Sequence, residues 1–533
     1  MKLPHSFLRA VILLTVFPAQ NLITRAQKQP SDVPTFQLNS SLVFLDVTVL
    51  DKKGNPVVTG LTKDDFTITE DRKPQRIFSF EGPDVHQIAN AEENHITGKA
   101  PLNIIVLDLL DSEFQDFAYI RYELRQFLMA QPAQLADPAE LMVVGNQSLE
   151  MLQGYTRSRA DLLDALDHLP AVLPYKKMLP SFYWERFAQS IDALQQIALQ
   201  NKGVPGRKNI VWVGHGGPNI FLNTADLTGS DVERLKQYVH DTTNLLVNSR
   251  ISLFVIYPDL KIHGNVMPIS AGYSDVDLGD GDPFSGDVNF GVFVNESGGK
   301  LFFNRNDVDM EIKRSEEMGA NYYTLTYQPQ EQNANADGKF RRIRVTLRNP
   351  SLRAVTKAGY FAPTKNQKND PGQRTLINLL EAAESTIPFN GLHVDLTGVV
   401  RHPDALTVEV ALQLKSKNLN WLPESEKTNS ANLAIAAVSL NGDEKVVASR
   451  LQNFTLSADA RQAPQATGIV SRFRITLPVP RKTKRVRIVV DNVDGGRMGS
   501  VDLTRKAIDA APVAPTSEPH LAPTRPDYMP AAK

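Results

Sequence analysis

Three apolar runs end in polar residues on what would be the same edge of one sheet. They are Asn103–Asp108 (NIIVLD), Lys208–His215 (KNIVWVGH) and Ile251–Asp259 (ISLFVIYPD). A run without polar alternation is a strand buried on both faces, and a parallel sheet covered by helices provides that burial. Amphipathic stretches separate the runs, at 116–129, 182–199 and 231–249, with another at 309–318. Strand–helix alternation implies a doubly wound parallel sheet with right-handed crossovers. Leu141–Gly145 reads as a further strand with Ser148–Gly154 as its partner, and Ser158-Arg159-Ala160-Asp161 as the cap of a helix reaching His168. In such a sheet the carboxyl ends of the strands line the ligand crevice. Here that edge carries Asp108, Asp111, Ser112, His215 and Asp259.

The flanks have a different period. Residues 36–83 alternate apolar and polar with period two and turn at Asp51–Pro56, where Gly54 supplies positive φ; Gly60–Phe66 reads as a short capped turn. Residues 392–503 alternate likewise, within a second module expected over 376–505. The expected fold class is therefore an α/β, doubly wound, mostly parallel sheet over 101–363, flanked by two small all-β sandwich modules. Polar stretches at 81–100 and 364–374 read as linkers, 378–383 as a short helix, and the Pro- and Ala-rich 506–533 as a disordered tail. Asn321–Tyr327 and Arg341–Leu347 read as an antiparallel strand pair closing the α/β domain.

At 533 residues the chain exceeds one core. Residues 1–26 read as a signal peptide: a basic start, the short apolar run Ala10–Phe17, and small residues near Ala26. The run falls short of the roughly 20 apolar residues of a membrane span. Export, to the periplasm or beyond the cell, is the expectation. With no cysteine, disulfides, thiolate ligands and a cysteine nucleophile are excluded. A formal net charge of −1 gives nothing to attract nucleic acid, and the basic clusters at 340–344 and 481–485 lie within alternating strands.

Many separate motifs occur in one order. They are Val47-Thr48-Val49-Leu50-Asp51, Gly54, Gly60-Leu61, Asp65-Phe66, Glu70-Asp71, Gln75 and Phe78, then the α/β stretch. Gly298-Gly299, Tyr322–Pro329, Gly338–Arg341 and Ala358–Phe361 follow. In this the chain resembles the acidobacterial VWFA-related domain family over residues 36–363. The resemblance implies a von Willebrand factor A-like domain and, at its crevice, a metal-dependent adhesion site. Such a site takes Mg²⁺ on an Asp-x-Ser-x-Ser motif, a Thr and a further Asp, with one position open for a partner's carboxylate. The motif aligns as Asp108-Leu109-Leu110-Asp111-Ser112. Asp108 and Ser112 match as metal ligands, Leu110 removes the first Ser, and Asp111 could restore an oxygen. His215 replaces the last Asp, and imidazole suits Zn²⁺ or Cu²⁺ better than Mg²⁺. Thr156 and Ser181 are the candidates for the missing hydroxyl. The site reads as degenerate. Without a metal, Asp108 would cap the following segment and bond loop amides.

Two other chemistries have partial signals in the sequence. Asp275–Asp282 clusters four carboxylates and two glycines, as a calcium loop does, but its spacing departs from that of an EF-hand. His215-Gly216-Gly217 is similar to an esterase oxyanion motif, yet the chain has no Gly-x-Ser-x-Gly elbow. No phosphate-binding motif follows a strand. The expected function is that of a non-enzymatic protein-binding, adhesion or envelope-assembly component. Its partner, another protein or a cell-surface component, would dock over Asp108, Asp111, Ser112 and His215. The alternatives are a serine hydrolase using Ser112 and His215, and a metal-free structural component. Mg²⁺ and Ca²⁺ are the cofactor readings.

Overall fold

The apolar runs form the middle of one sheet. The structure, a computed structural model, describes residues 42–86, 100–110, 114–145, 148–169, 180–214, 216–217, 219–221, 227–258, 281–285, 287–305, 307–329, 337–365, 371–402, 406–415, 419–425, 427–460, 470–514 and 528–529. The expected signal peptide lies outside them. Among the described residues no helix is long and apolar enough to cross a membrane.

The chain begins with four short strands, β1 (Val43–Leu50), β2 (Phe66–Glu70), β3 (Lys73–Gln75) and β4 (Ile77–Glu81). The β1 turn is held by Asp51, whose carboxylate accepts from Lys53 N (2.8 Å) and Asn55 N (2.9 Å), with Gly54 at φ 84°. The α/β part follows as β5 (Leu102–Asp108), α1 (Phe114–Ala130), β6 (Gln134–Val144), β7 (Leu149–Ser158), α2 (Arg159–Asp167) and α3 (Pro180–Gln200). It continues with β8 (Lys208–Val213), β9 (Ile220–Phe221), α4 (Gly229–Asn248), β10 (Ile251–Pro258), β11 (Asp287–Val288), α5 (Phe290–Ser297), β12 (Lys300–Arg305) and α6 (Val308–Ala320).

Six strands lie in the order β12-β10-β8-β5-β6-β7, all parallel except β7. Strands β5, β8 and β10 are buried along their whole length. One face packs on α3, α4 and α5, the other on α1, α2 and α6, which is why these runs carry no polar alternation. The chain builds outward from β5 through β6 to β7, then returns to β8 and builds the other way. The carboxyl ends of β5 and β8 therefore flank the switch point of the sheet.

Strands β13 (Tyr323–Tyr327), β14 (Phe340–Leu347), β15 (Arg353–Val355) and β16 (Gly359–Phe361) return to the first four. They make two antiparallel sheets, β15-β1-β13-β4 and β16-β14-β2-β3. This corrects two sequence expectations. Asn321–Tyr327 and Arg341–Leu347 do not pair with each other: β13 pairs with β1 and β4, and β14 with β2 and β16. The module expected at 36–83 is completed by strands from the stretch 101–363, so the six-stranded sheet is inserted within it. The reason is core size. Leu45, Val47, Val49, Phe66, Ile68 and Ile77 cannot bury one another without Tyr323, Leu325, Tyr327 and Ile343, which share their cluster.

The module closes the amino edge of the central sheet. Asp46 of β1 is ion-paired with Arg250, which precedes β10. Arg207 donates to Thr48 Oγ1 (2.7 Å), and Thr48 donates to the Met318 carbonyl (2.9 Å). His86 stacks on Tyr322 at 4.1 Å, and Lys208 Nζ donates to the carbonyls of Val204 (2.6 Å) and Gly206 (2.9 Å).

Beyond it, helix α7 (Pro371–Glu384) exceeds the expected short helix and begins within the expected linker. Leu379, Ala382 and Ala383 share a core with Leu199 of α3 and with Ala436, Val438 and Val489. Strands β17 (Val394–Arg401), β18 (Thr407–Lys415), β19 (Leu422–Pro423), β20 (Thr428–Leu440), β21 (Val446–Asp459), β22 (Val470–Pro478), β23 (Arg485–Asn492), β24 (Arg497–Thr504) and β25 (Tyr528–Met529) complete the chain. They form sheets β17-β18-β22-β25 and β19-β20-β23-β24, with β21 pairing β20, and share one apolar core. The expected disordered tail is in part ordered. Helix α8 (Arg505–Ala510) buries Ile508, Ala514 N donates to the Arg401 carbonyl (2.7 Å), and β25 pairs with β22.

Candidate functional site

Strand β5 delivers Asp108 to the switch point, where it is only 1% exposed. A carboxylate so placed needs donors, and three backbone or indole N–H groups supply them. Leu110 N donates to Oδ1 (2.9 Å), closing an Asx turn at the end of β5. Trp212 Nε1 (3.0 Å) and Gly216 N (2.7 Å) donate to Oδ2. Asp108 thus ties its own loop, the side chain of β8 and the loop after β8 into one floor. Burial pushes its carboxyl pKa up, while these donors and the charge of Arg186 pull it down; burial prevails.

The glycines after β8 are required by this packing. Gly214 has φ 144°, and a Cβ there would lie 2.4 Å from the Asp108 Cβ. Gly216 has φ 72°, and its Cβ would lie 2.7 Å from the Phe290 ring. Phe290 in turn tilts against the indole of Trp212 at 4.9 Å. The Gly-x-Gly-Gly sequence is therefore explained by close approach to Asp108 and Phe290, and the Gly216 N–H points at Asp108. The short ladder of β9 with β11 holds the far end of this loop.

Of the residues singled out in the sequence, Asp108 stands at the edge. Asp111, Ser112, His215 and Asp259 lie outside the described residues. Thr156 is not brought to the site: it pairs with Ala139, toward the amino end of the sheet, and its hydroxyl donates to Asp161 (3.1 Å). Ser181 lies in the first turn of α3, and its side chain is outside the described residues. Ser158 caps α2, with Asp161 N donating to its hydroxyl at 3.2 Å.

Most of the acidic stretch Asp275–Asp282 is also outside the described residues. Its last member, Asp282, accepts from Phe284 N (2.9 Å) and lies 3.0 Å from His240 Nε2. Burial raises the Asp282 pKa, but the bonds from His240 and the Phe284 amide outweigh it and hold the carboxyl below the usual range. The His240 ring stacks on Phe361 at 3.7 Å, so Asp282 fastens the end of this stretch to α4. Among the described residues no group of three or more His, Asp or Glu is placed to hold a metal ion.

Sequence reasoning missed Arg186, which is 5% exposed on α3. The available signal was its place among the aromatic and apolar residues Trp184, Phe187 and Ala188 in a helix with few charges.

No protein-family model matches the chain, and no curated protein does. Among solved structures the chain is similar to the VWA domain of SpRpn10, at 14% identity and a TM-score of 0.24, over 42% of this chain and 97% of that one. It is similar to the pilus adhesin SpaC from Lactobacillus rhamnosus GG in its open conformation, at 9% identity and a TM-score of 0.27, over 86% of this chain and 57% of the adhesin. The minor pilin PilB from Streptococcus sanguinis is matched at 12% identity and a TM-score of 0.25, over 42% of this chain and 62% of the pilin. The site rests on the residues above and not on these likenesses.

Proposed function

We propose that this chain is an exported binding protein of the adhesion or envelope-assembly kind. Its central domain, which we read as von Willebrand factor A-like, docks another protein or a cell-surface component over the carboxyl edge of the six-stranded sheet. The observation that carries this reading is the fixed floor at the switch point, where one buried carboxylate anchors both loops that border the crevice.

The donor set at Asp108 does not suit a divalent cation. Both carboxylate oxygens already accept hydrogen bonds, and the nearby buried charge is a guanidinium. A hard cation needs several free oxygen ligands, so docking is proposed without a metal. Acyl transfer gains no support either, because the Gly216 N–H, the natural oxyanion donor of that loop, is bonded to Asp108.

The absence of cysteine from the sequence makes the test clean, since one introduced cysteine is a unique attachment point. Asn219→Cys, in the loop after β8, and the exposed Thr455→Cys, on β21, would each carry a photo-crosslinker in the full chain. With an envelope extract in chelator, the expected result is one polypeptide crosslinked from position 219 and not from 455. Equal labelling from both positions, or labelling from 455 alone, contradicts the reading.

A further inference from the structure

A buried carboxylate is tolerated where a counter-charge is fixed nearby. At the carboxyl edge that charge comes from α3. Arg186 and Ser190 are four residues apart, on the same flank of the helix. This flank lies beneath the loop after β8: a Cβ at Gly217 would come within 3.2 Å of Ser190 Cβ and 3.6 Å of Phe187 Cα. The same loop carries the Gly216 N–H that bonds Asp108. Both charged side chains are at least nine-tenths buried, and each favours the ionised form of the other.

We infer that Arg186 occupies the electrostatic place of a metal ion: a guanidinium built into α3 balances Asp108 from below and keeps divalent cations out of the switch point. A Mg²⁺ or Mn²⁺ ion on Asp108 would face a fixed positive charge in a poorly screened interior, and like charges at such a site repel strongly. The guanidinium cannot lose its proton to make room. The crevice then has its charge set by the fold, and what docks there needs no metal-ligating carboxylate. The docking clause rests on the proposed function; the pairing of Arg186 with Asp108 does not.

The test is a double-mutant cycle on the full chain, read by thermal unfolding with and without millimolar Mn²⁺. Asp108→Asn and Arg186→Met should each lower Tm by several degrees. The double variant should lose clearly less than the sum, because each single change leaves the other charge unbalanced. Arg186→Lys, which keeps the charge, should recover part of the loss and serves if the Met variant fails to fold. Mn²⁺ should leave the wild-type Tm unmoved. Strictly additive losses, or no recovery with Lys, overturn the pairing. A Mn²⁺-dependent rise in wild-type Tm that disappears in Asp108→Asn overturns the exclusion of metal. Coupling in the cycle without any crosslink at position 219 would leave the pairing standing and remove the docking reading.

Discussion

At the amino edge of the central sheet, Asp46, Arg250, Arg207 and Lys208 are bonded into the β module or the adjoining backbone; at the carboxyl edge one carboxylate holds the two loops that leave β5 and β8. Burial pushes the Asp46 carboxyl up, but Arg250 outweighs it and holds the pKa below the usual range. Lys208 is driven well below its usual range by burial. Arg250 even adopts φ 55° just past the end of α4, where glycine is the usual residue. The strained backbone is kept because the side chain reaches Asp46. Asp108 instead accepts from Leu110, Trp212 and Gly216, in the strands and loops of its own edge, and the charge of Arg186 acts on it. The same chemistry serves as a joint at one edge and as a foundation for loops at the other.

The contrast can be broken from its strong side first. Asp46→Ala leaves Arg250 and Arg207 buried without their carboxylate and should cost about 3–5 kcal/mol in urea unfolding. A loss under about 1 kcal/mol would mean the joint is not electrostatic. Asp108→Ala should cost less, about 2–3 kcal/mol, by leaving the Trp212 and Gly216 donors without an acceptor. Its near-ultraviolet circular dichroism should change through Trp212, and an unchanged spectrum would place the indole elsewhere. Gly216→Ala should cost about 1–3 kcal/mol through strain and the clash with Phe290, with Asp108 still in place.

The smallest effect is a slope with pH. Burial pushes Asp137 up to about 6 and Glu316 up to about 8, from 3.8 and 4.5, near the amino edge. Both folded-state values are raised, so the folded chain binds protons more tightly than the unfolded one. This stability is fully present below about pH 4 and is lost as pH climbs through 6 and then 8. Glu316→Gln should flatten the upper part of the decline in Tm. A variant that keeps the full slope would assign it to other groups.

The central sheet was legible because β5, β8 and β10 are apolar through their middles, at Ile104–Leu107, Ile210–Val213 and Leu253–Tyr257, where both faces are buried, and the end of β5 marks itself with Asp108. The partners of Tyr323–Tyr327 were not. Period-two alternation declares a strand and its inner face, but any edge with matching apolar residues can accept it. The nearest candidate in sequence lost to β1 and β4, which lacked half a core. The length of α7 was hidden because its polar start resembles a linker until Leu379 and Ala382 meet β20. At the site, Asp108 could be named from its place at a strand end. Arg186 stands out in its helix only as a charge among apolar and aromatic neighbours, and nothing in a helix sequence tells which turn lies beneath a given loop. The glycines after β8 invited a catalytic reading because their true constraint, the Phe290 ring, lies far along the chain.

The most direct measurement is calorimetric titration of the full chain with Mg²⁺, Mn²⁺ and Ca²⁺, wild type against Asp108→Ala. No binding heat that depends on Asp108 is expected. Saturable Mg²⁺ or Mn²⁺ binding that vanishes in Asp108→Ala would contradict this expectation and restore a metal-dependent crevice.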